Sequence, residues 1–265
     1  MKIGVFDSGI GGLTIVKDLI KVFPASEIIY VGDTARVPYG TRSKDTIKKY
    51  AIEIATFLLS KEIDVLVVAC NTVSAVALQT IKKISNIPVI GMIEPVVDEA
   101  VNYLGCKNIG VIGTNATINS ESYERAIKKI NRQIQVTSVA CPLFVPLVEE
   151  GFYDNKVAQI VSKEYFQDKF KNIDCLILGC THYPLLIKAI RKNLSKNVKI
   201  LSCGEPAARE VGKTVGLVSD TKGNIKLVKH KFFITDNVEK FKNMAEVFLG
   251  QKIVKIKKLN LDKLV

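Results

Sequence analysis

The segment Lys61-Glu62-Ile63-Asp64-Val65-Leu66-Val67-Val68-Ala69-Cys70-Asn71-Thr72 recurs 110 residues later as Lys171-Asn172-Ile173-Asp174-Cys175-Leu176-Ile177-Leu178-Gly179-Cys180-Thr181-His182. Both copies run Lys-x-Ile-Asp, then an apolar stretch, then a small residue, a cysteine and a polar pair. A second pair of segments, Lys2–Ser8 and Asn108–Thr114, matches at an offset of 106 residues. Two registered repeats at nearly one offset mark duplicated structural units. The chain is therefore expected to fold as two related lobes, each with a buried strand that ends on a cysteine.

The rest of the sequence agrees with this plan. Short β-branched runs (Lys2–Phe6, Glu27–Val31, Asp64–Ala69, Val89–Ile93, Asn108–Ile112, Gln135–Ala140, Asp174–Leu178, Lys199–Leu201) alternate with longer amphipathic stretches. The latter predict helices over Leu13–Val22, Lys44–Lys61, Ser74–Ile84, Glu94–Leu104, Ser120–Ile130, Val157–Phe170 and Leu185–Leu194. Near-continuous apolar strands joined by helical crossovers read as parallel sheets covered on both faces. The fold class is α/β, with two pseudo-symmetric, doubly wound lobes and a cleft between them. One lobe is expected over 1–96 plus about 206–265, the other over about 97–205.

Composition removes several function classes. The net charge of +12 suggests nucleic acid, but only six of the 38 basic residues are Arg. The lysines are scattered, often in pairs such as Lys82-Lys83 and Lys128-Lys129, as on the solvated faces of amphipathic helices. No RNP, KH or helix-turn-helix signature accompanies them. No apolar run approaches the ~18 residues of a membrane helix. The N-terminus meets Asp7 and glycines too early for a secretory signal, so a cytoplasmic location is expected. In a reducing compartment the six cysteines (70, 106, 141, 175, 180, 203) are not a disulfide framework. With no CxxC pair and histidines only at 182 and 230, their spacing gives no zinc motif.

In open α/β sheets ligands sit beyond the carboxyl ends of the strands. Asp7-Ser8-Gly9-Ile10-Gly11-Gly12 occupies such a position, where close backbone approach and exposed helix-start N–H groups suit an anion. So do Cys70, with Asn71-Thr72, and Cys180, with Thr181-His182. A single cysteine ending a strand is ordinarily a small buried hydrophobe. Two at equivalent places in facing lobes suit the inversion of a stereocentre, one thiol taking the α-proton while the other supplies one from the opposite face. A thiol of pKa ~8.5 needs only modest lowering for this work, and a helix start or an imidazolium lowers it. A single-thiol hydrolase or lyase using His182 is the rival chemistry, but it leaves the duplicated cysteine unexplained. No metal motif and no lysine suited to pyridoxal stand out, so no cofactor is expected.

The chain resembles the bacterial glutamate racemases of the aspartate/glutamate racemase superfamily. The resemblance is carried by Gly4–Gly12, Gly32–Gly40, Val68–Thr72, Gly91–Pro95, Phe144–Glu149 and Leu178–Leu185, and spans about residues 2–205 in family order. It implies interconversion of L- and D-glutamate without a cofactor, supply of D-glutamate for peptidoglycan, and a homodimer. It makes Cys70 the base toward D-glutamate and Cys180 the base toward L-glutamate. Asp7, His182 and Glu149 match the polar partners of the thiols, Asp7 and His182 doubling as substrate contacts. Ser8, Tyr39, Gly40, Asn71, Thr72, Thr114, Thr117 and Thr181 match the other substrate contacts. An aspartate racemase on the same scaffold is the nearest alternative. Cys106, Cys141, Cys175 and Cys203 are expected to be structural. Activation by a peptidoglycan precursor is not expected, because the chain opens on its first strand. The lysine-rich segment after 205 carries weak family signal.

Overall fold

A computed structural model describes residues 1–217, 229–253 and 255–261. Among the described residues ten strands form two sheets. The first sheet contains β1 (Lys2–Asp7), β2 (Glu27–Gly32), β3 (Val65–Val68) and β4 (Val89–Ile90), with two strands from the C-terminal part of the chain, β9 (Lys231–Ile234) and β10 (Ile256–Lys258). The second contains β5 (Asn108–Gly113), β6 (Gln135–Ala140), β7 (Cys175–Gly179) and β8 (Lys199–Leu201). The orders are β10-β9-β2-β1-β3-β4 and β6-β5-β7-β8, and every pairing is parallel.

The repeated Lys-x-Ile-Asp has a structural cause. Asp64 ties its strand to the first, accepting the Lys2 N–H at 2.7 Å through Oδ2 while its own N–H donates to the Lys2 carbonyl. Asp174 does the same in the second lobe, accepting from the N–H groups of Lys107 and Asn108, both at 2.7 Å. Each aspartate thus pins the register of a central strand pair. In that register Phe6 faces Val68 and Gly113 faces Gly179. Continued past the strand ends, it sets Cys70 level with Ser8 and Cys180 level with Thr114.

From β1 the strand order runs one way to β2 and the other way to β3, and from β5 one way to β6 and the other to β7, so each sheet has its switch point where one of these cysteines emerges. Helix Leu13–Val22 covers the first sheet with Leu13, Ile15, Val16 and Leu19 turned inward; helix Gly204–Val215 packs against it. The second lobe is closed by edge-to-face rings, Phe144 against Tyr165, Tyr183 and Phe166. Burying each such side chain contributes about 1.5–3 kcal/mol.

All eight expected strands are present; β9 and β10 are additions from the lysine-rich C-terminal stretch, part of which lies outside the described residues. The helix expected over 74–84 is two, Asn71–Val76 and Leu78–Ile84, broken at Ala77 and beginning directly after Cys70. The one expected over 120–130 is preceded by the short turn Asn115–Asn119, with Glu121 in the left-handed region between them. The stretch after Ile93 passes from α-helix into a π-turn at Glu99–Tyr103. Among the described residues no helix is long and apolar enough to cross a membrane.

Candidate active site

The ends of β1, β3, β5 and β7 meet at a cavity of about 370 Å³. Both repeat cysteines reach it: Cys70 is 5% exposed and Cys180 is 7% exposed, and both line its wall. Ser8, Tyr39, Gly40, Asn71, Thr72, Thr114, Glu149, Thr181 and His182 line it with them. Two of the sequence candidates do not. Asp7 is fully buried behind the wall, and Thr117 is buried beneath Thr72 and Thr114, its hydroxyl 3.2 and 3.0 Å from theirs. The Thr72 and Thr114 hydroxyls are 2.9 Å apart and join one lobe to the other. Apolar surface comes from Val37, Pro38, Pro142, Val145 and Pro146, none of which sequence reasoning had marked.

Cys70, which carries the first thiol, stands at the N-cap position of helix Asn71–Val76. Its Sγ donates to Ser8 Oγ at 3.4 Å. Burial pushes its pKa up to about 11, and the neighbouring Asp7 adds to the rise; Ser8 and the N–H groups of Val73 and Thr72 pull the other way. Asp7 Oδ2 accepts the Gly9 N–H at 3.0 Å, while its Oδ1 has no partner among the described residues. Burial raises the Asp7 pKa above the usual carboxylate range, against the attraction of His182 and the N–H groups of Gly12, Gly9 and Ser8.

The second thiol lies 4.0 Å from His182 Nδ1. On its far side the imidazole meets Glu149, with Nε2 3.2 Å from Oε1. That bond is the main reason the Glu149 carboxyl titrates below its ordinary range. The Cys180 thiol itself is pushed well up, first by burial, with Cys70 and Asp7 across the cavity adding to the rise. The expected modest lowering of both thiols is therefore reversed by their burial. Helix-start N–H groups are present at Cys70, but desolvation outweighs them.

Tyr39 and Gly40 hang over the cavity on the loop after β2. The Tyr39 hydroxyl donates to Asp33 Oδ2, a carboxylate with no exposure that also accepts from Arg36 Nε at 2.6 Å and Thr235 Oγ1 at 2.9 Å. Arg36 bonds Glu53 in turn. A Cβ at Gly40 would stand 2.6 Å from Thr114 Cβ, so this loop of the first lobe closes directly on the second. Asp33 was missed in the sequence, although it also follows a strand end.

Of the cysteines expected to be structural, Cys106, Cys141 and Cys175 are buried away from the cavity wall. Cys203 is buried too, but its Sγ lies 3.5 Å from Asn71 Oδ1, directly behind the wall.

Two parallel α/β sheets with a cysteine at each switch point, both on the wall of one small cavity, belong to an isomerase of the cofactor-independent amino-acid racemase class. The family model of the Asp/Glu/hydantoin racemases matches residues 3–222, and the chain belongs to that family, on its glutamate racemase branch. The glutamate racemase of Sulfurihydrogenibium is 46% identical over 271 aligned positions, covering 100% of this chain and 99% of the relative. That of Geobacter metallireducens is 43% identical over 98% of this chain and 97% of its own. The crystal structure of glutamate racemase from Francisella tularensis in complex with D-glutamate superposes with a TM-score of 0.90 at 41% identity, covering 99% of this chain and 98% of that one.

Proposed function

We propose that this enzyme interconverts L- and D-glutamate by proton transfer between Cys70 and Cys180 through the substrate α-carbon. The observation that carries the reading is the pair of buried thiols, one from each lobe, on the wall of a single cavity. With Cα held between them, one Sγ takes the α-proton as a thiolate and the other, still protonated, delivers its own proton to the opposite face. That transfer leaves the two thiols in the protonation states suited to the reverse reaction, and proton exchange with solvent restores the starting form for another forward turnover. Following the resemblance, Cys180 removes the proton of L-glutamate and Cys70 that of D-glutamate.

The chemical difficulty is the α-proton, more acidic thiols lying ~10 pKa units or more below it, at ~1.4 kcal/mol per unit. The polar groups on the wall are suited to reduce that gap. Hydroxyls of Ser8, Thr72 and Thr114 and the amide of Asn71, fixed in advance by their own bonds, offer donors to the carboxylates, and the Thr181 hydroxyl adds another. A substrate ammonium beside either thiol favours its thiolate, offsetting the burial that raises both. Asp7 behind Cys70, and His182 with Glu149 beside Cys180, are assigned to orienting and tuning the thiols. Thr117 supports Thr72 and Thr114, and the Tyr39–Gly40 loop covers the substrate.

D-Glutamate for peptidoglycan, a cytoplasmic location and a homodimer complete the proposal.

Circular dichroism of L-glutamate incubated with the protein and no added cofactor tests the activity. The signal should decay to zero, and that of L-aspartate should persist. A stable glutamate signal with folded protein would sink the reading; faster loss with aspartate would move the substrate to the shorter diacid.

A further inference from the structure

Asn71 sits beside the first thiol, lines the cavity and is 3% exposed. Its two ends are treated differently. The oxygen is held from behind: the Tyr123 hydroxyl donates to Oδ1 at 2.6 Å, and the Cys203 Sγ lies 3.5 Å from it. The nitrogen, Nδ2, is buried with no partner among the described residues. With Oδ1 taken up by the Tyr123 hydroxyl, both N–H bonds of Nδ2 stay free. A buried amide left unpaired is costly, and that cost is removed once an acceptor enters the cavity.

The two residues behind Oδ1 come from elsewhere in the fold. Tyr123 lies on helix Ser122–Ile130, which follows β5, and is 2% exposed. Its ring packs on the strand end that leads to Cys180, since a Cβ at Gly179 would stand 3.1 Å from Tyr123 Cε2. Cys203 caps helix Gly204–Val215, and its Sγ is also 3.5 Å from the Leu178 carbonyl and 3.6 Å from the Tyr123 hydroxyl. The three residues thus form a buried bridge from the second lobe to the wall beside Cys70.

We infer that Tyr123, assisted by Cys203, is a positioning residue: it fixes the Asn71 amide so that Nδ2 donates to a substrate carboxylate as negative charge builds there on loss of the α-proton. The inference rests on the racemase reading above. Because the donor acts on developing charge, its loss should lower kcat more than it raises KM.

The test is a double-mutant cycle of Tyr123→Phe and Asn71→Ala, with kcat and KM for L-glutamate and a thermal melt for each variant. Tyr123→Phe alone should lower kcat about 10-fold, and Asn71→Ala about 100-fold, the scale of losing one such donor. In the Asn71→Ala background, Tyr123→Phe should change kcat less than about two-fold, since its action is already lost. Should Tyr123→Phe not fold, Cys203→Ala and Cys203→Ser replace it, serine keeping the donor and at least half the activity that alanine loses. Equal fold-losses in both backgrounds, or a Tyr123→Phe enzyme as fast as the wild type, would overturn the inference. A wild-type enzyme that leaves glutamate unchanged would instead overturn the racemase reading.

Discussion

Gly11 tests how tightly the second thiol is placed. It lies in the turn between β1 and helix Leu13–Val22, in the first lobe, with an ordinary backbone rather than a left-handed one. A Cβ there would stand 2.3 Å from Thr181 Oγ1, 2.5 Å from His182 Nδ1 and 2.7 Å from His182 Cε1. Ordinary contacts need about 3.5 Å, so Gly11→Ala must push the Thr181–His182 turn away by about 1 Å. Escape is limited, because Thr14 Oγ1 donates to the carbonyls of both Gly11 (2.9 Å) and Thr181 (3.1 Å) and ties the two turns together. Overpacking of this kind costs about 1–3 kcal/mol of stability, small enough to leave a folded enzyme. A 1 Å misplacement in a catalytic site costs about 100-fold in rate, and kcat for racemisation should fall by that order. The damage should also be one-sided. Elimination from a β-chloro analogue of L configuration, which needs only Cys180 as base, should fall far more than elimination from the D analogue. A Gly11→Ala enzyme within about two-fold of wild type would show that the turn is compliant and that the contact does not position the thiol.

Glu149→Gln keeps the shape of the His182 partner and removes its charge. Since the Glu149 carboxyl is held below its ordinary value of 4.5 by that bond, its contribution is full above the unfolded value and fades as pH falls through the lower folded one. Denaturant melts should thus show a deficit of about 1 kcal/mol near pH 7 that closes in acid; a deficit independent of pH would refute the charged pairing. Asp33→Ala leaves the Arg36 guanidinium without its inner carboxylate, and urea melts should show a loss of about 3–5 kcal/mol. A loss under about 1 kcal/mol would mean that the network only decorates the Tyr39 loop. Asp7→Asn removes a negative neighbour of Cys70, so the midpoint for its alkylation, mapped by mass spectrometry, should drop below about 11. An unchanged or higher midpoint would contradict the assigned cause.

The central architecture was legible because it is written twice. The duplicated Lys-x-Ile-Asp fixes two strand pairs through Asp64 and Asp174, and the strand-end rule then places Ser8, Cys70, Thr114 and Cys180 together. What stayed hidden depends on contacts distant in the sequence. Strands β9 and β10 are short and lie among lysines; β9 is held by pairing with β2 and by Phe232 against Tyr30, which no local pattern reveals. Helix Phe144–Glu149 carries Pro146 and reads as a loop. The helix start at Asn71 was placed three residues late because polar Asn71 and Thr72 resemble a turn. Asp7 is apparent as a strand-end carboxylate, but its burial behind the wall is not. The upward shift of both thiols is likewise a property of the assembled cavity: sequence supplies the helix-start N–H groups, and only packing supplies the desolvation that outweighs them.

The pairing of two thiols across one α-carbon is tested most directly by racemising L-glutamate in deuterium oxide and reading the α-position of both enantiomers early in the reaction by mass spectrometry after chiral separation. A separate base and acid on opposite faces predict that D-glutamate forms already deuterated while unreacted L-glutamate still holds its proton. Newly formed D-glutamate that retained the substrate's own α-proton would mean a single base serving both faces, and would contradict the assignment of Cys70 and Cys180 as partners.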